Sequence, residues 1–531
     1  MDCISHRLSY AQTGAFSKIV LDYLEGAEPV RSFYHHRPDL EGLKQAIEQR
    51  KLFSTKRNVL VGYLQKQYNT IESSDAVNSN IELLLKENTF TITTAHQPNL
   101  FTGPLYFIYK ILHAIKSADE LKKQLPAYNF VPVYYMGSED ADFEELSHFT
   151  VEGKKYQWST TQSGAFGRMI IDKHITKLID EVSGQLSIHP FGNEIIHALR
   201  ESYKEKRSIQ EATFAFVHFL FARFGLITII ADAKELKQLM IPVFEDELLN
   251  HTSSKLVEQT TYALEKHYKV QAGGREINLF YFDEDLRERI EALGDGFAVA
   301  NTTIRFTKDQ LLKELNEHPE RFSPNVILRG LFQETILPNI AFIGGGGEIA
   351  YWLELKSVFD NYQVPYPVLL VRNSFLLAEK KWNNTIANLG FEINDFFLSE
   401  DELLNRLVKK ESNNTIDLKS EIIKAEEFYT QLKNQAAQID VTLTAHVDAL
   451  KVKALHRLHE LQKKMLRAEK RKFADQQRQI QAIKNQLFPN NSLQERKESF
   501  LSFYAKSGGS FINELYQLSP VLEQEFTVMT F

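Results

Sequence analysis

The chain has 531 residues, with 43% hydrophobic and 25% charged side chains, so two to four domains or large insertions are expected rather than one hydrophobic core. Lys and Arg number 62 and Asp and Glu number 69, which gives a formal net charge of −7. This mildly acidic balance argues against binding to a nucleic-acid backbone and leaves a small-molecule substrate as the default expectation.

Residues 1–87 are predicted to form an N-terminal helical segment that packs on the core. The stretches "LEGLKQAIEQRKLF" and "NVLVGYLQKQY" carry apolar positions three and four residues apart, the spacing of an amphipathic helix. No basic segment followed by an apolar core begins the sequence, so we expect a cytoplasmic protein without a signal peptide. Cys3 is the single cysteine, which excludes a disulfide framework or a Cys-based zinc site within one chain.

Residues 88–380 are predicted to form a doubly wound α/β core. Apolar runs rich in β-branched and aromatic residues, each typical of a strand, occur at 88–95, 128–137, 225–233, 337–347 and 366–374. Helical patterns follow these runs, and the strand–helix–strand order implies a parallel sheet with right-handed crossovers. The more polar, less regular segments 151–200 and 268–321 are interpreted as insertions into this core.

The most apolar stretch, residues 214–230, is not predicted to cross a membrane. It contains His218, Arg223 and Gly225 and is better interpreted as a buried helix, a glycine break and a buried strand. No membrane association is therefore expected.

Residues 381–490 are predicted to form an α-helical coiled-coil domain. No proline or glycine occurs between 417 and 487, and the apolar residues there follow a heptad pattern. The pattern comprises Val447, Ala454, Leu461 and Ala468, with Leu458 and Met465 at the alternate position, and it resumes at Ile480, Ile483 and Leu487 after a break near Phe473. Pro489 ends the pattern, and the tail, residues 491–531, is expected to return to the core.

Ligands of open parallel sheets bind beyond the carboxyl ends of the strands, so the loop after the first core strand is a candidate site. In "TTAHQPNLFTGPLY", Thr102 or Gly103 is predicted to cap a helix that begins at Pro104. The free N–H groups and the dipole of a helix start favour an anion such as phosphate. His96 and Asn99 stand beside this helix start, and the alternative is an ordinary capped turn in which the backbone satisfies His96.

The loop after the second core strand carries "GSEDADFEEL". Asp142 and Glu145 have the spacing of a capping box, which accounts for them as the start of a helix. Glu139 and Asp140 precede that cap, and together they can hold a magnesium ion or the ammonium group of a substrate. The alternative is that they are ordinary acidic residues near a helix start.

A glycine-rich turn follows the fourth core strand. It consists of Gly344, Gly345, Gly346 and Gly347, with Glu348 directly after them, and such a turn allows a ligand to approach the backbone closely. The segment lacks the Gly-Lys-Ser/Thr of a Walker loop, and Glu348 at a helix start would repel a phosphate. A substrate amine is therefore the predicted ligand, and a tight structural turn is the alternative.

Arg372 and Ser374 lie at the end of the fifth core strand. A guanidinium group binds phosphate oxygens in bidentate fashion, so these residues are candidates for nucleotide binding. No Gly-x-Ser-x-Gly motif or Cys/His pair is present, so nucleophilic hydrolysis is not predicted. His35 and His36 lack a partner at metal-ligand spacing, and no metal site is predicted from them.

Five segments spread over nearly the whole chain are distinctive: "HQPNLFTGPLYFIYKILHAIK", "VPVYYMGSEDADFEEL", "RFSPNVILRGLFQETILPNIAFIGGGGEIAYWLELK", "KMLRAEKRK" and "LQER". Together they resemble the bacillithiol biosynthesis cysteine-adding enzyme (BshC) family. The resemblance implies a Rossmann-like nucleotidyltransferase core with helical insertions, and a C-terminal coiled coil through which the chain forms a homodimer. It also implies ligation of L-cysteine to the amino group of glucosaminyl malate, the last step of bacillithiol synthesis, with ATP activating the cysteine carboxylate.

Under that resemblance the candidate residues fall into three roles. His96, Glu139 and Asp140 are candidates for catalysis. Nucleotide binding is assigned to Asn99, Thr102, Gly103, Arg372 and Ser374, and substrate binding to the four glycines and Glu348. Two alternatives stay open: an ATP-dependent ligase for another small amine on the same fold, and a non-catalytic nucleotide-binding coiled-coil scaffold.

Overall fold

The computed structural model describes residues 4–72, 74–270, 273–283, 285–412, 414 and 416–531. Cys3 lies outside the described residues. The described chain divides into two compact units. The core unit comprises residues Met1–Leu376 and Gln494–Met529, and the coiled-coil unit comprises Leu377–Leu493 and Thr530–Phe531. Within the part of the chain that the structure describes, no helix combines the length and the apolar character that crossing a membrane requires.

The strands occur mainly in the core unit. They are β1 (Ile4–Ser9), β2 (Thr89–His96), β3 (Asn129–Met136), β4 (His148–Val151), β5 (Lys154–Gln157), β6 (Ile227–Ile230), β7 (Leu279–Asp283), β8 (Leu286–Leu293), β9 (Gly296–Val299), β10 (Arg305–Thr307), β11 (Phe322–Pro324), β12 (Asn339–Gly344), β13 (Val368–Val371), β14 (Ser374–Ala378) and β15 (Glu525–Thr530).

The α-helices occur in both units. Those before the coiled-coil unit are α1 (Tyr10–Thr13), α2 (Lys18–Glu25), α3 (Leu40–Lys51), α4 (Arg57–Tyr68), α5 (Asp75–Leu83), α6 (Tyr106–Gln124), α7 (Phe143–Leu146), α8 (Lys173–Leu186), α9 (Gly192–Ser202), α10 (Ile209–Phe221), α11 (Lys234–Lys237), α12 (Ile241–Asn250), α13 (Thr252–Leu264), α14 (Lys308–Glu317), α15 (Val326–Ile336), α16 (Gly346–Trp352) and α17 (Lys356–Tyr362). The coiled-coil unit contains α18 (Lys380–Asn388), α19 (Glu400–Glu411), α20 (Lys419–Ile439), α21 (Leu443–Lys470) and α22 (Ala474–Leu487), and α23 (Leu501–Ser507) and α24 (Gly509–Leu518) follow in the core unit.

The central sheet of the core unit has five strands in the order β13-β12-β2-β3-β6. Every neighbouring pair is parallel, and these are the five strands that the apolar runs predict. β2, near the middle, is buried along its whole length, as expected for a parallel sheet that is covered on both faces. The prediction of a parallel α/β core is confirmed.

Aliphatic side chains attach helices to this sheet. Leu43 and Ile47 of α3 and Ala118 of α6 share one buried cluster with Ile92 of β2 and Ile343 of β12. Burial of each leucine or isoleucine contributes about 1.5–3 kcal/mol. The central strands all run in one direction, so their five carboxyl ends lie at one edge of the sheet.

Two segments contain more β structure than the sequence predicts. The N-terminal segment, expected to be helical, starts with β1, which lies beside β15 in a small sheet. Its residues are mostly exposed, so the strand carries no apolar pattern, and its partner comes from the other end of the chain. The segment predicted as the 268–321 insertion contributes most of a sheet in the order β10-β9-β8-β7-β11, antiparallel throughout.

The coiled-coil unit is helical. α20 and α21 are joined by a short turn and pack against each other. The predicted break near Phe473 is a 3-10 turn over Arg471–Phe473. After this turn, Ile480, Ile483 and Leu487 of α22 are fully buried. The prediction that this region is helical is confirmed.

Candidate active site

A cavity of about 490 Å³ lies at the carboxyl ends of the central strands. Residues at or directly after the ends of all five strands line it, together with side chains from α6, α15, α16, β8 and the tail that follows the coiled-coil unit. All of these residues belong to the core unit. Open parallel sheets bind their ligands at this edge, so this cavity is the candidate active site.

The structure brings many of the predicted site residues to this cavity. Those that line it are His96, Glu139, Asp140, Gly345, Gly346, Gly347, Glu348 and Arg372. Among the described residues, the predicted ones that do not line it are Asn99, Thr102, Gly103, Gly344 and Ser374. Asn99, Thr102 and Ser374 are instead buried within the protein.

The predicted cap of α6 by Thr102 or Gly103 is wrong. The helix begins at Tyr106, and Leu105 occupies the cap position without a side-chain hydrogen bond. Thr102 has a φ of 72°, in the left-handed region, so the chain makes a further turn before the helix starts. The backbone N–H of Leu105 donates to the carbonyl of Glu498 at 2.8 Å. This partner is distant in sequence, so local pattern could not place the turn.

His96 ends β2 and is 9% exposed. Its ring packs against Tyr106 and Phe107, with ring centroids 5.2 and 5.7 Å away. Among the described residues, its Nε2 has no hydrogen-bond partner. Burial, and then nearby positive charges, hold the pKa of His96 well below its ordinary value. The imidazole is therefore neutral, and its Nε2 is a buried nitrogen without a described hydrogen-bond partner.

We expect the imidazole of His96 not to titrate between about pH 5 and 8, the range in which an ordinary histidine changes charge. Nitrogen–proton correlation spectra of the full-length protein would measure this, and a His96→Gln variant would assign the signal. A titration midpoint near the ordinary histidine pKa would contradict the burial argument.

Glu139 belongs to a buried ion-pair network. Lys237 Nζ lies 2.5 Å from Glu139 Oε1 and 2.8 Å from Asp232 Oδ1, and Arg168 donates to both oxygens of Asp232 at 2.6 and 2.8 Å. Burial raises the pKa of Glu139, and Lys237 offsets this only in part. Burial also opposes ionisation of Asp232, but Lys237 and Arg168 outweigh it and lower its pKa to about 2. Glu139 is thus the member of the network better suited to accept a proton.

Asp140 makes contacts separate from those of Glu139. Gln97 Nε2 donates to Asp140 Oδ2 at 3.0 Å, and the backbone N–H of Asp142 donates to Oδ1 at 3.1 Å. Asp142 in turn accepts from the backbone N–H of Glu145, so the predicted cap at Asp142 is confirmed. Within the described residues, no group of three or more His, Cys, Asp or Glu side chains is arranged to hold a metal ion.

The glycine-rich turn contains an ion pair that the sequence does not indicate. Glu348 Oε2 accepts from the backbone N–H of Gly345 at 2.8 Å and pairs with the buried Lys110 of α6. A Cβ on Gly344 would lie 2.8 Å from the ring of Phe342, so that glycine serves packing. Glu348 is thus already paired with a cation, and its role as a ligand for a substrate amine stays a prediction.

Arg372 and Ser374 both contact Glu495 in the C-terminal tail. Arg372 Nη2 lies 2.7 Å from Glu495 Oε1, and Ser374 Oγ donates to the same oxygen at 3.2 Å. Arg372 lines the cavity and Ser374 does not. Of these two predicted phosphate ligands, Arg372 alone has access to a ligand in the cavity.

Six charged residues of the cavity wall were not predicted as site residues from the sequence: Lys110, Glu145, Asp232, Arg287, Arg329 and Arg496. Lys110 lies within a long amphipathic helix, where a lysine carries no special signal. Arg329 stands in the segment "RFSPNVILRG", directly after the helix start that Asn325 caps. That long, distinctive segment is the sequence feature from which Arg329 could have been identified as a site residue.

Three of the cavity arginines form no ion pair with a carboxylate of the described residues. Within the described part of the chain, Arg287, Arg329 and Arg496 form no ion pair, whereas Arg372 pairs with Glu495. The guanidinium of Arg287 lies 3.7 Å from the ring centroid of Phe280, and Arg329 donates to the hydroxyl of Tyr351 at 2.7 Å. The cavity therefore offers donors for an anionic ligand as well as carboxylates for a cationic one.

Two family models match adjoining parts of the chain. Residues 2–373 match the Bacillithiol biosynthesis BshC, N-terminal Rossmann-like domain, and residues 375–531 match the Bacillithiol biosynthesis BshC, C-terminal coiled-coil domain. The chain belongs to the BshC family. The resemblance seen in the sequence is confirmed, and so is the fold class of a Rossmann-like core with a C-terminal coiled coil.

Relatives in the BshC family match the chain from end to end. A protein of Flavobacterium johnsoniae named "Putative cysteine ligase BshC" is 44% identical, over 100% of this chain and 99% of its own. Proteins of the same name from Flavobacterium psychrophilum and Christiangramia forsetii are 41% and 40% identical. They cover 98% and 99% of this chain, and 98% of each relative is matched.

Proposed function

We propose that this BshC-family protein is a cytoplasmic ligase that joins the carboxylate of L-cysteine to the amino group of glucosaminyl malate in bacillithiol synthesis. The relatives' shared name, "Putative cysteine ligase BshC", supports the ligase role. The observation that carries the proposal is the cavity at the strand ends, which holds buried Glu139 together with arginines that no described carboxylate neutralises. Amide formation needs a proton acceptor, because a proton must leave the amine, and it needs cationic groups, because anionic substrates must be held.

Glu139 is the proposed proton acceptor. The amino group of glucosaminyl malate is protonated at neutral pH and must lose a proton before its nitrogen can attack the carboxyl carbon of cysteine. The raised pKa of Glu139 brings this carboxylate closer to the pH at which it operates, as efficient base catalysis requires. Asp140, held by Gln97 at 3.0 Å, is the second proposed carboxylate for the ammonium group.

His96 is proposed to hydrogen-bond to the reacting carboxyl group of cysteine. A neutral imidazole has one donor and one acceptor nitrogen, and burial keeps His96 neutral. Its packing against Tyr106 and Phe107 holds the ring in place. A fixed dipole of this kind can stabilise the charge that develops on the carboxyl oxygen without first reorganising.

Activation of the cysteine carboxylate by ATP, with Mg²⁺ as its companion ion, is part of the proposal. ATP would supply a leaving group, so that one carboxylate oxygen departs with a phosphoryl group as the carbon–nitrogen bond forms. The residues present fit the phosphates, because the guanidinium groups of Arg287, Arg329 and Arg496 have no described carboxylate partner. Arg372 lines the same cavity and would add a further donor.

Incubation of the full-length protein with ATP, L-cysteine and glucosaminyl malate tests the proposal. The expected result is the amide, identified by mass, with one nucleotide consumed per amide formed. Amide without nucleotide turnover would contradict the activation step, and faster reaction with another amino sugar would contradict the amine substrate. The absence of amide with every amine would favour a non-catalytic scaffold.

A homodimer formed through the coiled coil is also proposed. The side chains of Phe428 and Leu461 on α20 and α21 are 54% and 47% exposed, although Leu461 is part of the heptad pattern. Light scattering on the purified protein would measure its mass in solution. A monomeric mass at all concentrations would contradict the dimer.

A further inference from the structure

Glu495 is a fully buried carboxylate that pairs with Arg372 of the candidate active site. Besides Arg372 and Ser374, it contacts Phe375, whose backbone N–H donates to Oε2 at 3.2 Å. A buried carboxylate is stable only when such donors and a counter-charge surround it. Glu495 lies at the point where the chain re-enters the core unit after the coiled-coil unit, and Arg372 lies shortly before the point where it leaves.

This network fixes the orientation of Arg372. While Nη2 pairs with Glu495, Nη1 donates to the carbonyl of Asn373 at 3.0 Å and to Ser374 Oγ at 3.2 Å. The guanidinium carbon lies 5.0 Å from the ring centroid of Tyr106. A planar group held through two nitrogens and next to an aromatic ring cannot rotate freely, so Arg372 is held in the cavity wall in one position.

The neighbour of Glu495 is one of the uncommitted cavity arginines. Arg496 is exposed, lines the cavity and forms no ion pair within the described residues. The segment that carries it is fixed on its other side, where the Glu498 carboxylate accepts from the backbone N–H of Gly153 at 3.0 Å. The backbone N–H of Ser499 also donates to the carbonyl of Thr150 at 2.8 Å. Arg496 is therefore carried on a backbone that is anchored before and after it.

We propose that Glu495 is a positioning residue, which holds Arg372 in the cavity wall and places Arg496 where it binds an anionic group of a substrate. That group is a phosphate of the nucleotide or a carboxylate of the malyl moiety, because a guanidinium pairs with both. The identity of these substrates rests on the proposed function. The anchoring of the two arginines rests on the contacts of Glu495, Glu498 and Ser499 and does not depend on the substrates.

Binding of two separate probes, ATP and malate, to the full-length protein distinguishes the two anions. By titration calorimetry, Glu495→Gln and Arg496→Ala are each expected to weaken binding of the same probe by about 10-fold or more. Loss of ATP binding would identify the phosphate, and loss of malate binding would identify the carboxylate. Arg496→Lys, which keeps the charge, is expected to recover part of the affinity.

Glu334→Gln is the matched control. Glu334 is also fully buried and pairs with an arginine, Arg50, at 2.8 Å, but it does not line the cavity. Its substitution is expected to lower the unfolding temperature without changing either affinity. Equal weakening in Glu334→Gln would show that general loss of stability explains the effect and would overturn the proposal.

Two further outcomes would also overturn it. These are wild-type affinity for both probes in Glu495→Gln and Arg496→Ala, and a wild-type protein that binds neither probe. Arg496 is exposed, so its alanine variant is expected to fold even if Glu495→Gln does not. Failure of the proposed function is separately visible, because a protein that binds the probes through Arg496 but forms no amide would refute the ligase and leave the role of Glu495 intact.

Discussion

Replacement of Glu139 by Gln is expected to reduce the rate of amide formation about 10²- to 10⁴-fold, the usual contribution of a general base. Gln has nearly the same size but cannot accept the proton of the amine. Little loss of stability is expected, because burial already disfavours the charge on Glu139, and Lys237 keeps Asp232 as a partner at 2.8 Å. The turnover number of the variant and its unfolding temperature would be measured on the same preparation.

Glu334→Gln serves as the control for this substitution too. Burial raises the pKa of Glu334 as it does that of Glu139, but Glu334 does not line the cavity, so turnover is expected to stay at the wild-type level. The wild-type enzyme should lose activity as the pH falls through the raised pKa of Glu139, because the base must be ionised. Wild-type turnover in Glu139→Gln would remove Glu139 from the chemistry.

Replacement of Lys237 by Met is expected to lower the free energy of unfolding by about 3–5 kcal/mol, the cost of removing one partner from a buried ion pair. Lys237 is fully buried and lies against two carboxylates, Glu139 and Asp232. Arg168 still neutralises Asp232 in the variant, so the uncompensated charge falls on Glu139. Urea denaturation of wild type and variant would measure the difference.

Lys234→Met is the matched control, on the same short helix. Lys234 is 44% exposed and lies 3.8 Å from Glu320, and an exposed pair of this kind contributes at most about 1 kcal/mol. If Lys237→Met lowers the free energy of unfolding no more than Lys234→Met does, the buried ion pairs of Lys237 do not stabilise the fold as proposed.

The destabilisation in Lys237→Met is also expected to depend on pH. Without Lys237, the folded-state pKa of Glu139 lies further above its value in the unfolded chain, because less positive charge then offsets burial. Between those two pKa values the folded state binds more protons, so its stability falls as the pH rises. The loss should therefore be larger at about pH 8 than at about pH 5, and the same loss at both values would contradict the assignment of the charge to Glu139.

The sequence by itself determined the central sheet and the edge at which the site lies. Each central strand is an apolar run ended by polar or glycine residues, and parallel strands place their carboxyl ends together. His96, Glu139 and Arg372 therefore reach one cavity, as their positions at strand ends predict. The family could also be identified from local segments, because each is contiguous in the chain.

Only the tertiary structure decided which charges are free and which are neutralised. Glu348 meets Lys110 from another helix, and Arg372 meets Glu495 from beyond the coiled-coil unit. Thr102, expected to cap a helix, lies before a further turn in which the backbone N–H of Leu105 donates to the tail, and the helix begins at Tyr106. Strand ends follow from patterns of neighbouring residues, whereas ion pairs and turn geometry depend on partners far along the chain, which only packing brings together.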